Sequence, residues 1–391
     1  MRKVFLFSIL LVLGVFGSQV LPGLLGSPYP AFAGAVRLLT MLCLSFIMIH
    51  VGYEFEIERS SLRSYAVDYG VAATAAAFPW IFCAVYFVAV LSPPGSWSSY
   101  DAWTEALLAG RFAAPTSAGI LFSMLAAAGL SATWLFRKAR VLAIFDDLDT
   151  VLLMIPLKAL LVGLRWQLGV IVVVMVVLLW LAWRHLHRLR IPVSWPFVLV
   201  YGAGIAAVSE AIYQTSKLVD DVVPVHIEVL LPAFVLGCML ARPEGDDPHV
   251  DDGREGHLEG PSSPGEQRAA TLISAFFMVL VGLSMPSLSL AELGGLDVFL
   301  LHVVAITVLA NLGKTFPLLV YRDEASWRER LALCIAMCPR GEVGAGVLIV
   351  SISYGIGGPM IAVAAASLAL NLVCTGLFIL AVRRLLSARH S

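Results

Sequence analysis

Charge is what this sequence has least of. Asp, Glu, Lys and Arg make up 14% of its 391 residues, against about 25% in a soluble domain, and a chain that poor in charge cannot cover a globular surface in water. What charge there is nearly cancels, to a net −1, so there is no basic field for nucleic acid. Cysteine is sparse as well. Cys43, Cys83, Cys238, Cys334, Cys338 and Cys374 all fall in apolar segments. Cys334 and Cys338 share a helix face, but no histidine or second cysteine pair completes a zinc site. All six read as reduced packing residues, and no cofactor is expected. Long polar stretches are missing, with one exception at residues 243–268. That stretch carries Asp246, Asp247, Asp251, Asp252, Glu255, Glu259 and Glu266 with His249, His257, Pro and Gly. It reads as a solvated linker, and its histidines lack any recognisable ligand spacing.

What is present is hydrophobic: 59% of residues, with a mean hydropathy of +0.88. Apolar runs long enough to cross a bilayer, broken by charge or by Pro/Gly clusters, predict an all-α polytopic membrane protein of about twelve transmembrane helices. The predicted spans are 4–26, 36–57, 64–92, 103–128, 139–163, 167–185, 194–213, 225–242, 266–287, 295–321, 328–354 and 358–385. Arg and Lys cluster in alternate loops: Arg2/Lys3, Arg59/Arg63, Arg137/Lys138/Arg140, Arg184/Arg188/Arg190, Arg242/Arg254/Arg268, Arg322/Arg328/Arg330 and Arg383/Arg384/Arg389. The opposite loops and their margins hold only Arg37, Arg165 and Lys217. The positive-inside rule then puts both termini and the 243–268 linker in the cytoplasm. The first span also carries features of a signal peptide, Met1-Arg2-Lys3 and Ala31-Phe32-Ala33. Its apolar core is longer than such segments use, and it reads as a retained helix.

Two spans are interrupted. Span 4 carries Ala113-Ala114-Pro115-Thr116-Ser117-Ala118-Gly119, and span 11 carries Cys338-Pro339-Arg340-Gly341-Glu342-Val343-Gly344. Proline removes a helix donor and clashes with the preceding turn, and unwound backbone is tolerated at membrane depth only where it lines a cavity or is buried in protein. Broken helices at matching places in two halves point to a transporter site. Pro115 precedes Asp146 by 31 residues, and Pro339 precedes Asn371 by 32. Spans 3–5 and 10–12 run in opposite senses, so the spacing predicts an inverted-topology repeat with two crossed discontinuous helices, 4 and 11.

Ionisable groups at membrane depth are the remaining signal. Asp146, Asp147 and Asp149 lie inside span 5, where a charged side chain costs about 2.5–3.5 kcal/mol on insertion scales. Asp146 falls five residues before the middle of its span, and Lys314 falls six residues past the middle of span 10, which runs the other way. At 1.5 Å per residue both lie roughly 7–9 Å to the same side of the midplane. An ion pair of Lys314 with Asp146 or Asp147 follows; the competing reading lets Lys314 snorkel to the interface near Tyr321. Neighbouring carboxylates in low dielectric do not both ionise cheaply, so a proton and a small cation compete for the same oxygens. Asp149, Arg111, Arg340 and Glu342 are expected to form a charge-compensating network. Glu210, Glu228 and His226 read as helix-end or packing residues, His50 and Glu54 as solvated, and Lys158 as reaching the outer interface.

Phe145-Asp146-Asp147-Leu148 is the most specific of these motifs. Together with Gly313-Lys314, Pro339-Arg340-Gly341-Glu342-Val343-Gly344, the run 277–283, Gly52-Tyr53-Glu54 and Pro115-Thr116-Ser117, it resembles the monovalent cation:proton antiporter superfamily, in particular its two-aspartate bacterial sodium/proton antiporters. The likeness runs over nearly the whole chain. It implies that Asp147 is the essential cation- and proton-binding carboxylate, that Asp146 pairs with Lys314 when no cation is bound, and that Thr116 and Ser117 supply oxygens to the ion. It further implies a homodimer in the bacterial inner membrane. Core repeats at 64–163 and 295–385 would carry Na+ (or Li+ or K+) against H+ as an elevator, and 4–57 with 167–287 would form the dimerisation scaffold. Three features depart from the family pattern: Asp149 as a third carboxylate, Arg111 before the first break, and the charges of Arg340 and Glu342 beside the second. Two other readings compete. A sodium-coupled symporter of an organic substrate could use the same scaffold. Asp146-Asp147-Leu148-Asp149 also resembles the magnesium motif of prenyl transferases, but Thr150 stands where that motif needs aspartate and no second copy exists, so no enzyme is expected.

Overall fold

The computed structural model describes residues 2–53, 62–162, 166–219, 229–241, 264–285, 295–353 and 356–387. Among them there is no β-strand; the one extended pairing is a bridge between Leu189 and Leu240. The helices are α1 (Arg2–Leu25), α2 (Tyr29–Tyr53), α3 (Leu62–Tyr86), α4 (Tyr100–Gly110), α5 (Ala118–Ala127), α6 (Trp134–Val162), α7 (Trp166–Arg184), α8 (Trp195–Val219), α9 (Leu230–Met239), α10 (Pro264–Leu283), α11 (Leu296–Leu312), α12 (Pro317–Val320), α13 (Trp327–Ala336), α14 (Glu342–Ser353) and α15 (Gly358–Ser387). The chain is an all-α polytopic membrane protein.

Among the described residues, eight helices are long and apolar enough to cross a membrane. The other expected spans miss that threshold for physical reasons. α6 has the length, 29 residues, but carries too much charge. The 103–128 region is divided into α4 and α5, and the 328–354 region into α13 and α14, none longer than 12 residues. α9 spans ten residues, and the chain before it, with Glu228 and His226, lies outside the described residues. So do Glu54 and most of the 243–268 linker, whose last residues belong to α10.

The chain divides into two compact units. One comprises residues 1–33, 61–157 and 278–391; the other comprises 34–60 and 158–277. α1, expected among the scaffold helices, thus falls in the same unit as α3–α5 and α11–α15.

In the first unit, small residues let helices approach backbone to backbone, the usual device of membrane helix packing. Gly14 of α1 faces Gly282 of α10 with no room for a Cβ on either. Gly313 abuts the backbone of Pro79 in α3 as closely. α13 begins with a capping box in which Ser326 and Glu329 satisfy each other's backbone N–H, so its start is fixed by local sequence. In the second unit α2 and α9 meet at Gly52 and Gly237. There Arg37 pairs with Glu210, which also accepts from Gln214 at 2.6 Å. His50 bonds back to Phe46 O at 2.9 Å. The six cysteines are free, and five of them are buried.

Candidate functional site

Both interruptions begin where the helix runs out of donors. α4 tightens into a single 3-10 turn, Arg111–Ala113. Pro115 offers no N–H, and the chain runs non-helical to Ser117 before α5 starts. α13 ends at Ala336; Met337 and Cys338 bond back to Leu333 and Ile335 at 3.1 Å, and the chain is again non-helical until α14 begins at Glu342. Such breaks leave backbone groups that must be satisfied by something else. The two breaks partly satisfy each other. Ser117 N donates to Pro339 O at 3.0 Å, and Thr116 Oγ1 donates to Met337 O at 3.0 Å. Gly341 sits against Ser117 and Ile120, where a Cβ would come within 2.6 Å of Ile120 Cδ1.

Lys314 is carried into this region on the 3-10 turn Gly313–Thr315 that follows α11. Its side chain has no solvent exposure, and neither has Asp146. All three ammonium donors are used: Lys314 Nζ donates to Asp146 Oδ2 at 2.8 Å, to Ala114 O at 2.6 Å and to Thr116 Oγ1 at 3.0 Å. Asp146 Oδ2 also accepts Thr116 N at 2.9 Å. One interrupted segment therefore supplies a carbonyl, a hydroxyl and an amide to a single buried ion pair. The hydroxyl of Thr116 is committed to Lys314 and Met337, so in this state it positions the lysine and is not a free ligand.

Arg340 departs from the expected network. Its guanidinium is fully buried and meets only neutral oxygens. Nε donates to Ala113 O at 2.8 Å and Nη2 to Ala310 O at 2.7 Å. Nη1 donates to Asn311 Oδ1 at 2.7 Å, Cys338 O at 3.1 Å and Asn371 Oδ1 at 3.4 Å. The carbonyls freed at helix ends carry the negative pole of the helix dipole, and a planar five-donor fork matches several of them at once.

Arg111 departs from it too. It is fully buried, stacked 4.7 Å over the Trp80 ring, and Nη2 donates to the main-chain carbonyl of Asp149 at 2.9 Å, not to its carboxylate. That carboxylate, 3% exposed, accepts Tyr69 Oη at 2.9 Å on Oδ1. The backbone of Asp147 and Glu342 is helical, but their side chains, like that of Lys158, lie outside the described residues. Ser117 is buried beside the second break.

Sequence reasoning passed over four participants. Asn311 is a polar amide in an apolar helix and carried the same signal as Asn371. Tyr69 and Trp80 gave none, being ordinary aromatics of a membrane helix. Asp68 is a charge inside span 3. It is buried and accepts Tyr321 Oη at 2.8 Å and Lys138 Nζ at 3.1 Å, while Lys138 also reaches Glu324 at 2.9 Å. This cluster ties the start of α6 to the chain just after α12, seven residues beyond Lys314.

Chemically, the arrangement holds a buried acid between a tethered cation and two helix breaks. Among the described residues no group of three or more His, Cys, Asp or Glu could hold a metal ion, which leaves a site built from mixed oxygens and a tethered ammonium. No protein-family model matches the chain, and none of the curated proteins is significantly similar to it.

Proposed function

We propose that the chain is a secondary active transporter that exchanges a monovalent cation (Na+ first, then Li+ or K+) for protons. The observation that carries this reading is the solvent-free Lys314–Asp146 pair, held where two interrupted helices bond to each other. A lysine that neutralises a buried acid is a tethered stand-in for a free cation. When Na+ reaches Asp146 and Asp147 it replaces the ammonium, and the Thr116 hydroxyl held by Lys314 is released to the ion, with Ser117 beside it. When the cation leaves, Asp147 takes up a proton and Lys314 returns to Asp146. Cation and proton need the same oxygens, so each enters only after the other has gone. Opening the site to one face at a time turns that competition into exchange.

The same reading takes the chain as twelve spans with an inverted repeat, residues 64–163 and 295–385 forming a core that moves as an elevator. A scaffold that contains α2 and α7–α9 would make a homodimer, with both termini cytoplasmic in a bacterial inner membrane. Support comes from the helix breaks at Pro115 and Pro339, and from a parallel between the halves. A buried cation reaches the polar residue 31 or 32 positions after each proline, Lys314 to Asp146 and Arg340 to Asn371. The motif resemblance to two-aspartate sodium/proton antiporters points the same way.

The test is proteoliposomes with an internal pH dye. Adding Na+ outside acid-loaded vesicles is expected to alkalinise the lumen, and Asp147→Asn to abolish the signal. Full exchange by Asp147→Asn would remove Asp147 as carrier. A wild-type protein that gives no pH change with any alkali cation would overturn the exchange itself.

A further inference from the structure

Four buried polar atoms beside the ion pair have no hydrogen-bond partner: Asp146 Oδ1, Asp149 Oδ2, and Nε and Nη1 of Arg111. Buried polar groups are nearly always paired, and a bare one calls for an explanation such as an ion or a water. Their placement is specific. The two acids are three residues apart on α6, a spacing that stacks side chains on one helix face. Each acid is already half satisfied from the flank: Asp146 through Oδ2 by Lys314 and Thr116, and Asp149 through Oδ1 by Tyr69. The oxygens left over are one per acid. Arg111 reaches the same turn of α6, bonded to Asp149 O, and its guanidinium interacts electrostatically with both carboxylates.

The chemistry of the unpaired atoms selects the occupant. Two acid oxygens exclude an anion and suit a cation, while Nε and Nη1 of Arg111 need acceptors, which water in the cation's shell supplies and the ion itself does not. A hard cation accepts oxygen ligands of this kind, carboxylate and water alike. Building on the exchange reading, we infer that Asp149 is a further ligand of the transported cation. Its Oδ2 meets, from the next turn of α6, the ion held at Asp146 Oδ1. Arg111 is the counterweight. A fixed positive charge beside Asp146 and Asp149 weakens cation binding, and a transported ion must be held loosely enough to leave. Tyr69 anchors the other oxygen of Asp149 and does not touch the ion.

This assignment predicts effects of opposite sign, read as Na+ affinity of the purified full chain from thermal unfolding against NaCl, with choline chloride as the control salt, at one fixed pH. Asp149→Asn keeps an acceptor for Tyr69 but loses the charge, and is expected to weaken Na+ binding about tenfold or more, as loss of a supporting group at a metal site does. Arg111→Gln keeps a donor for Asp149 O and is expected to tighten binding by about the same factor. Tyr69→Phe breaks the Asp149 bond but keeps the carboxylate, and is expected to stay within about threefold of wild type because the oxygen offered to the ion, Oδ2, is untouched. If Asp149 served only to anchor Tyr69, Asp149→Asn would bind Na+ like wild type while Tyr69→Phe weakened binding, and that outcome overturns the inference. So does wild-type affinity in Asp149→Asn, or in Arg111→Gln should the aspartate variant not fold. Exchange measured in parallel separates the two levels. Na+ binding that depends on Asp149 in a protein that moves no protons would sink the antiport reading alone. Intact exchange with Asp149-independent binding would sink this inference alone, and absence of any alkali-cation binding would sink both.

Discussion

Replacing Lys314 with alanine tests the centre of the site. The ammonium makes three hydrogen bonds, one of them to a carboxylate, and neither side chain of the pair is exposed to solvent. Truncation leaves the Asp146 carboxyl buried and supported by Thr116 N alone. Breaking a buried pair by removing one partner costs about 3–5 kcal/mol, and the stranded Ala114 carbonyl adds about 1 kcal/mol. The expected loss is therefore about 4–6 kcal/mol. Much of it is the penalty of an unpaired charge, so neutralising the acid as well should recover part. Lys314→Ala/Asp146→Asn is expected to be more stable than Lys314→Ala by about 2 kcal/mol, so the coupling, which also contains the cost of Asp146→Asn alone, is at least that large. Equilibrium unfolding in mixed detergent micelles, run on wild type, both single variants and the double, gives all four corners of the cycle. A loss below about 1 kcal/mol for Lys314→Ala, the worth of a solvated pair, would refute the buried-pair argument. So would single-variant effects that simply add. The exchange reading adds a second expectation: Na+ at 100 times its dissociation constant stabilises by about 2.7 kcal/mol, and in Lys314→Ala that gain should replace part of what the ammonium supplied.

Two further substitutions probe the surroundings. Arg340→Lys keeps the charge but cannot span Ala113 O, Ala310 O and Asn311 Oδ1 together; a loss of about 2–4 kcal/mol in the same unfolding assay is expected from the stranded acceptors, whereas wild-type stability would show that charge alone is needed. Gly313→Ala drives a Cβ into the backbone of Pro79 and should cost about 1–3 kcal/mol, while Gly346→Ala, with nothing within 4 Å and a helical backbone, should be neutral or stabilising by up to about 1 kcal/mol. Equal effects at the two glycines would remove close packing of α3 on the Gly313 turn as the reason for that glycine.

How much of this was legible in the sequence depends on what each residue had to choose between. Pro115 and Pro339 had no choice: a residue without an N–H, flanked by Gly, Ser or Thr, ends a membrane helix wherever it stands. Lys314 was nearly as constrained. Counting residues along two opposed spans put it level with Asp146, and at that depth an ammonium has few alternatives. The atoms that Arg111 and Arg340 bond were missed because charge alone nominated carboxylates; Arg111 does reach Asp149, but through its main-chain carbonyl. A helix break exposes main-chain carbonyls that carry no mark in the sequence. There are more of them than acids, they are already fixed in place, and burying an arginine against them strands no counter-ion. Carbonyls of the same kind engage Thr116, whose hydroxyl bridges Lys314 and Met337 O in this state. Eight of the expected spans stand out as single long apolar helices among the described residues, and the others do not for a related reason. The regions that fall short as single apolar spans include the two that are unwound and the one that carries the acids, so the features that build the site are the ones that blur its helices.

Three cations are buried to zero exposure here, and the way each is satisfied ranks how readily it can move. Arg340 has five partners, all neutral and all on the ends or walls of packed helices. No mobile ion competes for them, so Arg340 is a fixed strut. Lys314 has three partners, and the strongest is an acid whose other oxygen is bare. A free cation can take that acid from it, and the released ammonium can retreat to the Ala114 carbonyl. Arg111 has one hydrogen bond and a ring face, with two donors unspent, so its charge acts at a distance on α6 instead of closing a pair. On the proposed exchange reading the three divide the work: one cation holds the breaks together, one changes places with the cargo, and one keeps the cargo from staying.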